Sequence, residues 1–305
     1  MSKSPATGSP VEVEDLLNVI QALDDLDNRL GGGFARRQAA RYLDDVVAPL
    51  LRQRHPSTVR AQLFVLAGKA TGMTGWMSYD DGRSNQAQQY MTRALRLCAE
   101  GNDRVLSGQL YAGMAHVALS SGRAADGLRL AEAGCALVHR SGSPRGLMRL
   151  HAIRARAHAA LGHRSDAARA LTEAERALDR SSDPAEESRW VRSLGEHYLQ
   201  TEMSCCFRDL GDARNAETFA LASVYGNSGL GRRQAVSRAV LAWAQLQHGH
   251  LDQALTTADG ALTGVGGVRS ARGVRALREF AGHLMPHLQE APVQRFLERL
   301  STAGY

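Results

Sequence analysis

The sequence predicts an all-α fold, a solenoid of stacked antiparallel helix pairs with capping helices at its N- and C-terminal ends. Three observations carry that expectation. A five-residue step, Gly-x-x-x-x-Ala, recurs at Gly82–Ala87, Gly122–Gly127, Gly162–Ala167, Gly211–Ala216 and Gly249–Ala254, its glycines 40, 40, 49 and 38 residues apart. A fixed period in that range marks a stacked repeat. Small residues stand seven positions before each glycine (Gly75, Ala115, Ala155, Ser204, Ala242) and twelve after it (Ala94, Gly134, Ala174, Ser223, Ala261). Finally, aromatics are only 5% of 305 residues against 44% hydrophobic overall, and runs of Val, Ile, Thr and aromatics that would read as strands are scarce. That balance suits helices packed through alanine and leucine.

Each step has a mechanical reading. A helix ends, and its terminal glycine takes the left-handed conformation that a Cβ would penalise. The polar residues that follow turn the chain and offer short side chains to the free amides of a second helix. The small residues on both helices then let the two lie close together as a tight hairpin.

Taken in order, residues 1–10 are a polar, Pro/Ser-rich stretch read as a disordered tail. Residues 11–56 form an N-terminal helical cap. Its first helix, 11–30, carries an apolar stripe of Val13, Leu16, Leu17, Ile20, Leu23 and Leu30. Gly31-Gly32-Gly33 stops it, and a second helix over 34–53 ends near Pro49. Five helix pairs occupy 57–264, at about 57–101, 103–141, 144–180, 188–226 and 230–264. The 49-residue interval reflects an insertion, Ser181 to Ser188, read as a longer loop or an extended helix start and as the place where the superhelix changes. Residues 268–305 supply C-terminal capping helices at 268–289 and 292–301, which a repeat stack needs to close its core.

Composition bounds function. The net charge of +6 and pI of about 9.4 permit an acidic partner, though a solvated arginine-rich surface accounts for the same figures. The N-terminus has no signal-peptide pattern, and no run approaches the ~18 apolar residues of a membrane span, so a cytoplasmic protein is expected. Cys98, Cys135, Cys205 and Cys206 fit a reducing compartment. They form no CxxC; His151 and His158 share a helix face, and His283/His287 have ligand spacing but Pro286 between them and no evident carboxylate partner, so no metal is expected. No nucleophile motif or nucleotide loop is present either, and neither catalytic residues nor a cofactor are predicted.

The spacing of small, glycine, alanine and small residues is similar to the tetratricopeptide (TPR) pattern, in five copies in phase. That resemblance implies a right-handed superhelix in which the first helix of each pair lines a concave groove. A narrower likeness rests on Asp27-Asn28-Arg29-Leu30-Gly31-Gly32-Gly33, on Gly75-Trp76-Met77-Ser78-Tyr79-Asp80 with Gly82-Arg83, and on Ala87-Gln88-Gln89-Tyr90. These strings resemble the C-terminal TPR region of actinobacterial helix-turn-helix (XRE-type) transcriptional regulators. Those regulators place a DNA-binding helix-turn-helix ahead of this region, where here ten to fifteen tail-like residues stand. Direct DNA binding is therefore not carried over, and the sensing or partner-binding half is what the resemblance implies.

Counting back from each turn glycine gives the expected groove positions. They include Lys69, Trp76, Tyr79, His116, Arg149, Arg156, Tyr198, Arg208 and Trp243. Arginine forks recognise carboxylates and tryptophans anchor binding surfaces, so the set suits a peptide, a small molecule or a partner protein. The expected function is a non-enzymatic regulatory module that senses a peptide, small molecule or partner protein in transcriptional control of development or secondary metabolism. A scaffold for a biosynthetic enzyme complex and an unrecognised enzyme are the alternatives, and a homodimer is left open.

Overall fold

The computed structural model describes residues 10–30, 32–181, 183–226, 231–266 and 271–303. Every regular element among them is helical: α1 Pro10–Leu30, α2 Gly32–Tyr42, a π-helical turn Leu43–Val47, α3 Ala48–Arg52, α4 Ser57–Asp80, α5 Ser84–Glu100, α6 Arg104–Ser120, α7 Ala124–His139, α8 Pro144–Ala160, α9 Arg164–Asp179, α10 Glu196–Asp209, α11 Ala213–Gly226, α12 Gly231–Gln247, α13 Leu251–Gly266, α14 Ala271–Gly282, a short 3-10 turn Met285–His287, and α15 Ala291–Thr302. The five pairs are α4/α5, α6/α7, α8/α9, α10/α11 and α12/α13. No described helix is long and apolar enough to cross a membrane.

The repeated step does what its chemistry requires. Gly82, Gly122, Gly162, Gly211 and Gly249 have φ between +73° and +80°. In each turn the next residue's N–H reaches back to the carbonyl five positions earlier, as from Arg83 to Ser78 and from His163 to His158, at 2.8–2.9 Å. This closes the helix in the Schellman manner and satisfies carbonyls that would otherwise be orphaned. The small residues set the helix spacing. A Cβ on Gly75 would meet Met91 Cγ at 2.9 Å and the Ala87 carbonyl at 3.2 Å. Ala87, Ala115, Ala155, Ala167, Ala216, Ala242 and Ala254 are wholly buried. In the fourth pair, where the pattern has serine, Ser223 bonds Thr201 and Ser237 at 2.7 Å each, so the buried hydroxyls satisfy one another.

At the N-terminal end, Leu16, Ile20 and Leu23 of α1 join Ala35, Ala39, Leu43 and Val47 over α4, with Val13 and Leu17 partly buried beside them. Gly31 and the side chain of Leu30 lie outside the described residues. Pro49, where the sequence reading ends the second helix, instead sits in the first turn of α3. The π turn before it bonds Ala48 N–H to Leu43 C=O, and that wider turn carries the chain into a proline that can neither donate nor tolerate a close carbonyl. At the other end Leu277, Phe280 and Leu284 pack with Val293, Phe296 and Leu300, and the Phe280 and Phe296 rings meet edge to face at 5.8 Å.

The insertion is a strap. Residues 183–195 form turns, and the first helix of the fourth pair starts at Glu196 rather than 188. Glu187 accepts from Ser143 Oγ and Arg145 N–H, both at 2.7 Å, at the N-terminus of α8. Trp190 Nε1 donates to Asp103 Oδ2 at 2.7 Å, and Asp103 also caps α6 through Leu106 N–H. The strap thereby ties the fourth pair back across the second and third.

Candidate ligand cavity

The first helices of the pairs, α4, α6, α8, α10 and α12, share the inner surface of the stack. There they line a cavity of about 840 Å³, with Trp190 and Leu194 of the strap on one side and α14 on another. That volume falls within the range of ligand pockets, roughly 300–1,000 Å³. The positions thirteen before each turn glycine (Lys69, Gln109, Arg149, Tyr198, Val236) all line it. Of those six before, Trp76, His116, Arg156 and Cys205 do so as well, together with Tyr79 and Arg208.

Trp243 stands apart. It is 6% exposed, edge-on to His283 at 6.4 Å, and borders a smaller hollow of about 220 Å³ beyond Arg208 and Asp209. The α14 helix packs across α12, which moves Trp243 out of the main cavity and into the core of the C-terminal end.

The centre of the cavity is an aromatic cluster. Trp76, Tyr79 and His116 have ring centroids 5.7–5.9 Å apart in tilted or edge-on arrangements. Gly113 on α6 makes room for the indole, since a Cβ there would stand 3.2 Å from Trp76 Cζ2. Guanidinium groups cover the rings: Arg149 and Arg272 lie 5.7 and 5.1 Å from the Trp76 centroid, and Arg275 lies 5.2 Å from that of Tyr79. Nearer α10, Arg149 and Arg233 lie 5.9 and 5.1 Å from the Tyr198 ring. Each such placement contributes about 0.5–2 kcal/mol according to its desolvation. Lys69 sits 5.9 Å from the Trp190 ring.

Carboxylates balance part of this charge. Arg156 meets Glu202 at 3.2 Å and Asp209 at 3.9 Å. Arg208 meets Asp209 at 2.7 Å and Glu279 at 3.2 Å. Arg272 pairs through two nitrogens with Asp80, a carboxylate 1% exposed, across 192 residues of sequence. Arg275 donates to Tyr79 Oη at 3.1 Å. The local field is nonetheless positive. Burial first, and then Arg156, Arg272, Arg149 and Arg275, hold His116 well below the ordinary histidine range. Burial likewise raises the Tyr198 hydroxyl and the Cys205 thiol, so both stay protonated at neutral pH.

Counting back from turn glycines does not reach α14, which has no following turn glycine, so Arg272, Arg275 and Glu279 are additions to the expected set. Arg233, one helical turn before the counted position on α12, and Glu202 and Trp190 are also additions. The other histidines do not converge on the cavity. His151 faces Cys135 at 3.8 Å and Glu173 at 3.3 Å, and burial pushes it down to about 4. At the α8–α9 turn, His158, His163 and Asp166 bring one ligand-type atom each within 4.8 Å of one another, but Asp166 is paired with Arg169.

Fold and cavity together define a class: a TPR-like helical solenoid whose inner surface lines a ligand-sized space. No family model matches the chain, and no curated protein matches it in sequence. Solved structures do share the fold. A Rap protein complexed with competence and sporulation factor superposes with a TM-score of 0.56 at 10% identity, over 95% of this chain and 98% of that one. NprR in complex with its cognate peptide NprX gives 0.55 at 11% identity, over 97% and 90%.

Proposed function

We propose that the chain is a non-enzymatic regulatory module whose inner cavity senses a small molecule or peptide and passes the result to a partner protein. The observation that carries this reading is the chemistry of the cavity wall. It presents rings with guanidinium groups over them, and carboxylates that pair with three of the arginines, a lining suited to recognition by stacking and charge. Neighbours of the same fold, Rap with its factor and NprR with NprX, make a peptide a reasonable ligand to test first. A cytoplasmic setting and a role in transcriptional control belong to the same proposal.

The test is a thermal melt of the full chain against peptide and metabolite fractions of a cell extract, followed by native mass spectrometry of the stabilised sample. A bound species that raises the melting temperature and is lost in Trp76→Ala supports the reading. A species retained equally by the folded variant, or consumed with release of product, sinks it.

A further inference from the structure

Sorting the cavity's guanidinium groups by partner separates them into two sets. Arg156, Arg208 and Arg272 each hold at least one carboxylate. Arg149, Arg233 and Arg275 hold none among the described residues, and Arg275 instead donates to Tyr79 Oη on α4. Arg149 donates to the Gln109 side-chain carbonyl, and its Nε is buried without a hydrogen-bond partner. Arg233 has the Tyr198 ring beneath it; burial is the largest effect against its charge, Tyr198 and the Glu202 carboxylate offset part of it without an ion pair, and Arg272 and Arg149 add repulsion. Removing cations from water without a counter-ion costs stability. The bond from Arg149 to Gln109 joins α8 to α6 without neutralising the cation, and neither Arg149 nor Arg233 is held to a carboxylate as Arg272 is held to Asp80. A charge brought in by a ligand would supply what both lack.

Resting on the reading of the cavity as a ligand site, we propose that the Arg149–Tyr198–Arg233 wall is a carboxylate subsite, and that the ligand carries a carboxylate beside an aromatic or apolar group. The planar fork of arginine matches the two oxygens of a carboxylate. Tyr198, Trp76 and Val236 offer the apolar surface next to it. Phosphate fits less well. The wall is built from helices whose backbone amides are already bonded within the helix, so it offers no cluster of free N–H groups. Glu202, also on the wall, would repel a dianion. The carboxylate can come from a peptide or from a small organic acid, and these share the chemistry.

The experiment measures affinity of the full chain for paired probes: a random hexapeptide library with free C-termini against the same library amidated, and phenylacetate and indole-3-acetate against their amides. Each acid should bind roughly tenfold or more tightly than its amide in at least one arm, as expected for charge-assisted bonds to arginine. The peptide arm or the small-acid arm, whichever responds, identifies the source. Arg149→Gln and Arg233→Gln should each remove about tenfold of that preference. A single cooperative melt and an unchanged helical circular dichroism spectrum in each variant without ligand keep loss of binding distinct from loss of fold.

Equal binding of acid and amide, both abolished in Trp76→Ala, overturns the subsite and leaves the cavity reading standing. So does an acid preference unchanged in both arginine variants, or inorganic phosphate binding more tightly than either acid. Probe binding that survives Trp76→Ala overturns subsite and cavity reading together, and no binding in either arm at millimolar concentration overturns the subsite.

Discussion

His116 shows how single residues in this chain serve the cavity at the expense of stability. It faces Trp76 and Tyr79 of α4, Arg149 and Arg156 of α8, and Arg272 and Arg275 of α14. Its folded pKa is lowered, so above about 6.5 both folded and unfolded chains carry it neutral and its contribution is complete. As the pH falls below that value the unfolded chain takes up a proton that the folded one refuses, and stability is lost. The slope for one such group approaches about 1.4 kcal/mol per pH unit. His151, held down at about 4, acts in the same direction and remains in a His116 variant. Urea unfolding of His116→Gln between pH 6.5 and 5 should therefore show a shallower fall than the parent, by up to one proton. Equal slopes would mean that His116 is not shielded as described. At this scale the sequence was informative wherever a turn glycine provided a ruler. Counting back thirteen and six positions reaches Lys69, Trp76, His116, Arg149, Arg156 and Tyr198, because helical periodicity holds each such residue on the same face. The count fails at Trp243, where a later helix covers that face.

At the scale of elements, the turn glycines and the interior small residues carry different costs. A Cβ on Gly162 would meet nothing within 4 Å, so alanine there is penalised by its φ of +77° alone. Gly162→Ala should destabilise by about 1–2 kcal/mol. Ala87 is wholly buried between α4 and α5, and Ala87→Leu has to displace Met91 or part the helices. Its cost should be larger, up to about 3 kcal/mol. Chemical denaturation of the two variants checks the order, and a reversed order would mean that hairpin spacing is not set by the small residues. The pairs were legible because one turn geometry repeats five times. The strap was not. Its fixed points are Glu187 on the N-terminus of α8 and Trp190 on Asp103, and both bonds join residues more than 40 positions apart with no period to announce them.

At the scale of the molecule, the decisive event is the return of α14 to α4. The repeat pattern alone implies an open trough, whereas Arg272 on α14 reaches Asp80 on α4 and Arg275 reaches Tyr79, bringing the two ends of the inner surface together beside the cavity. The signal was present locally. Arg272, Arg275 and Glu279 follow one another at helical spacing, while Val274, Leu277 and Phe280 form the apolar face buried in the core. What sequence could not supply was the curvature of five stacked pairs, which decides whether that polar face meets solvent or α4. The closure can be tested directly. Asp80 is almost fully buried and keeps a contact besides Arg272, so removing the arginine costs about 1.5–3 kcal/mol, the range for hydrogen bonds to a charged group. Arg272→Ala should lower stability by that order if the whole molecule feels the break. If α14 detaches by itself, the loss appears instead as faster hydrogen exchange confined to α14 and α15, with a larger radius of gyration in solution scattering. A ligand bound between α14 and the inner helices favours the closed form, and at a hundred times its dissociation constant it adds about 2.7 kcal/mol. Ligand should therefore slow exchange in α14 of the parent and do so less in Arg272→Ala. Exchange in α14 that is indifferent to both the substitution and the ligand would place the closure outside the recognition step.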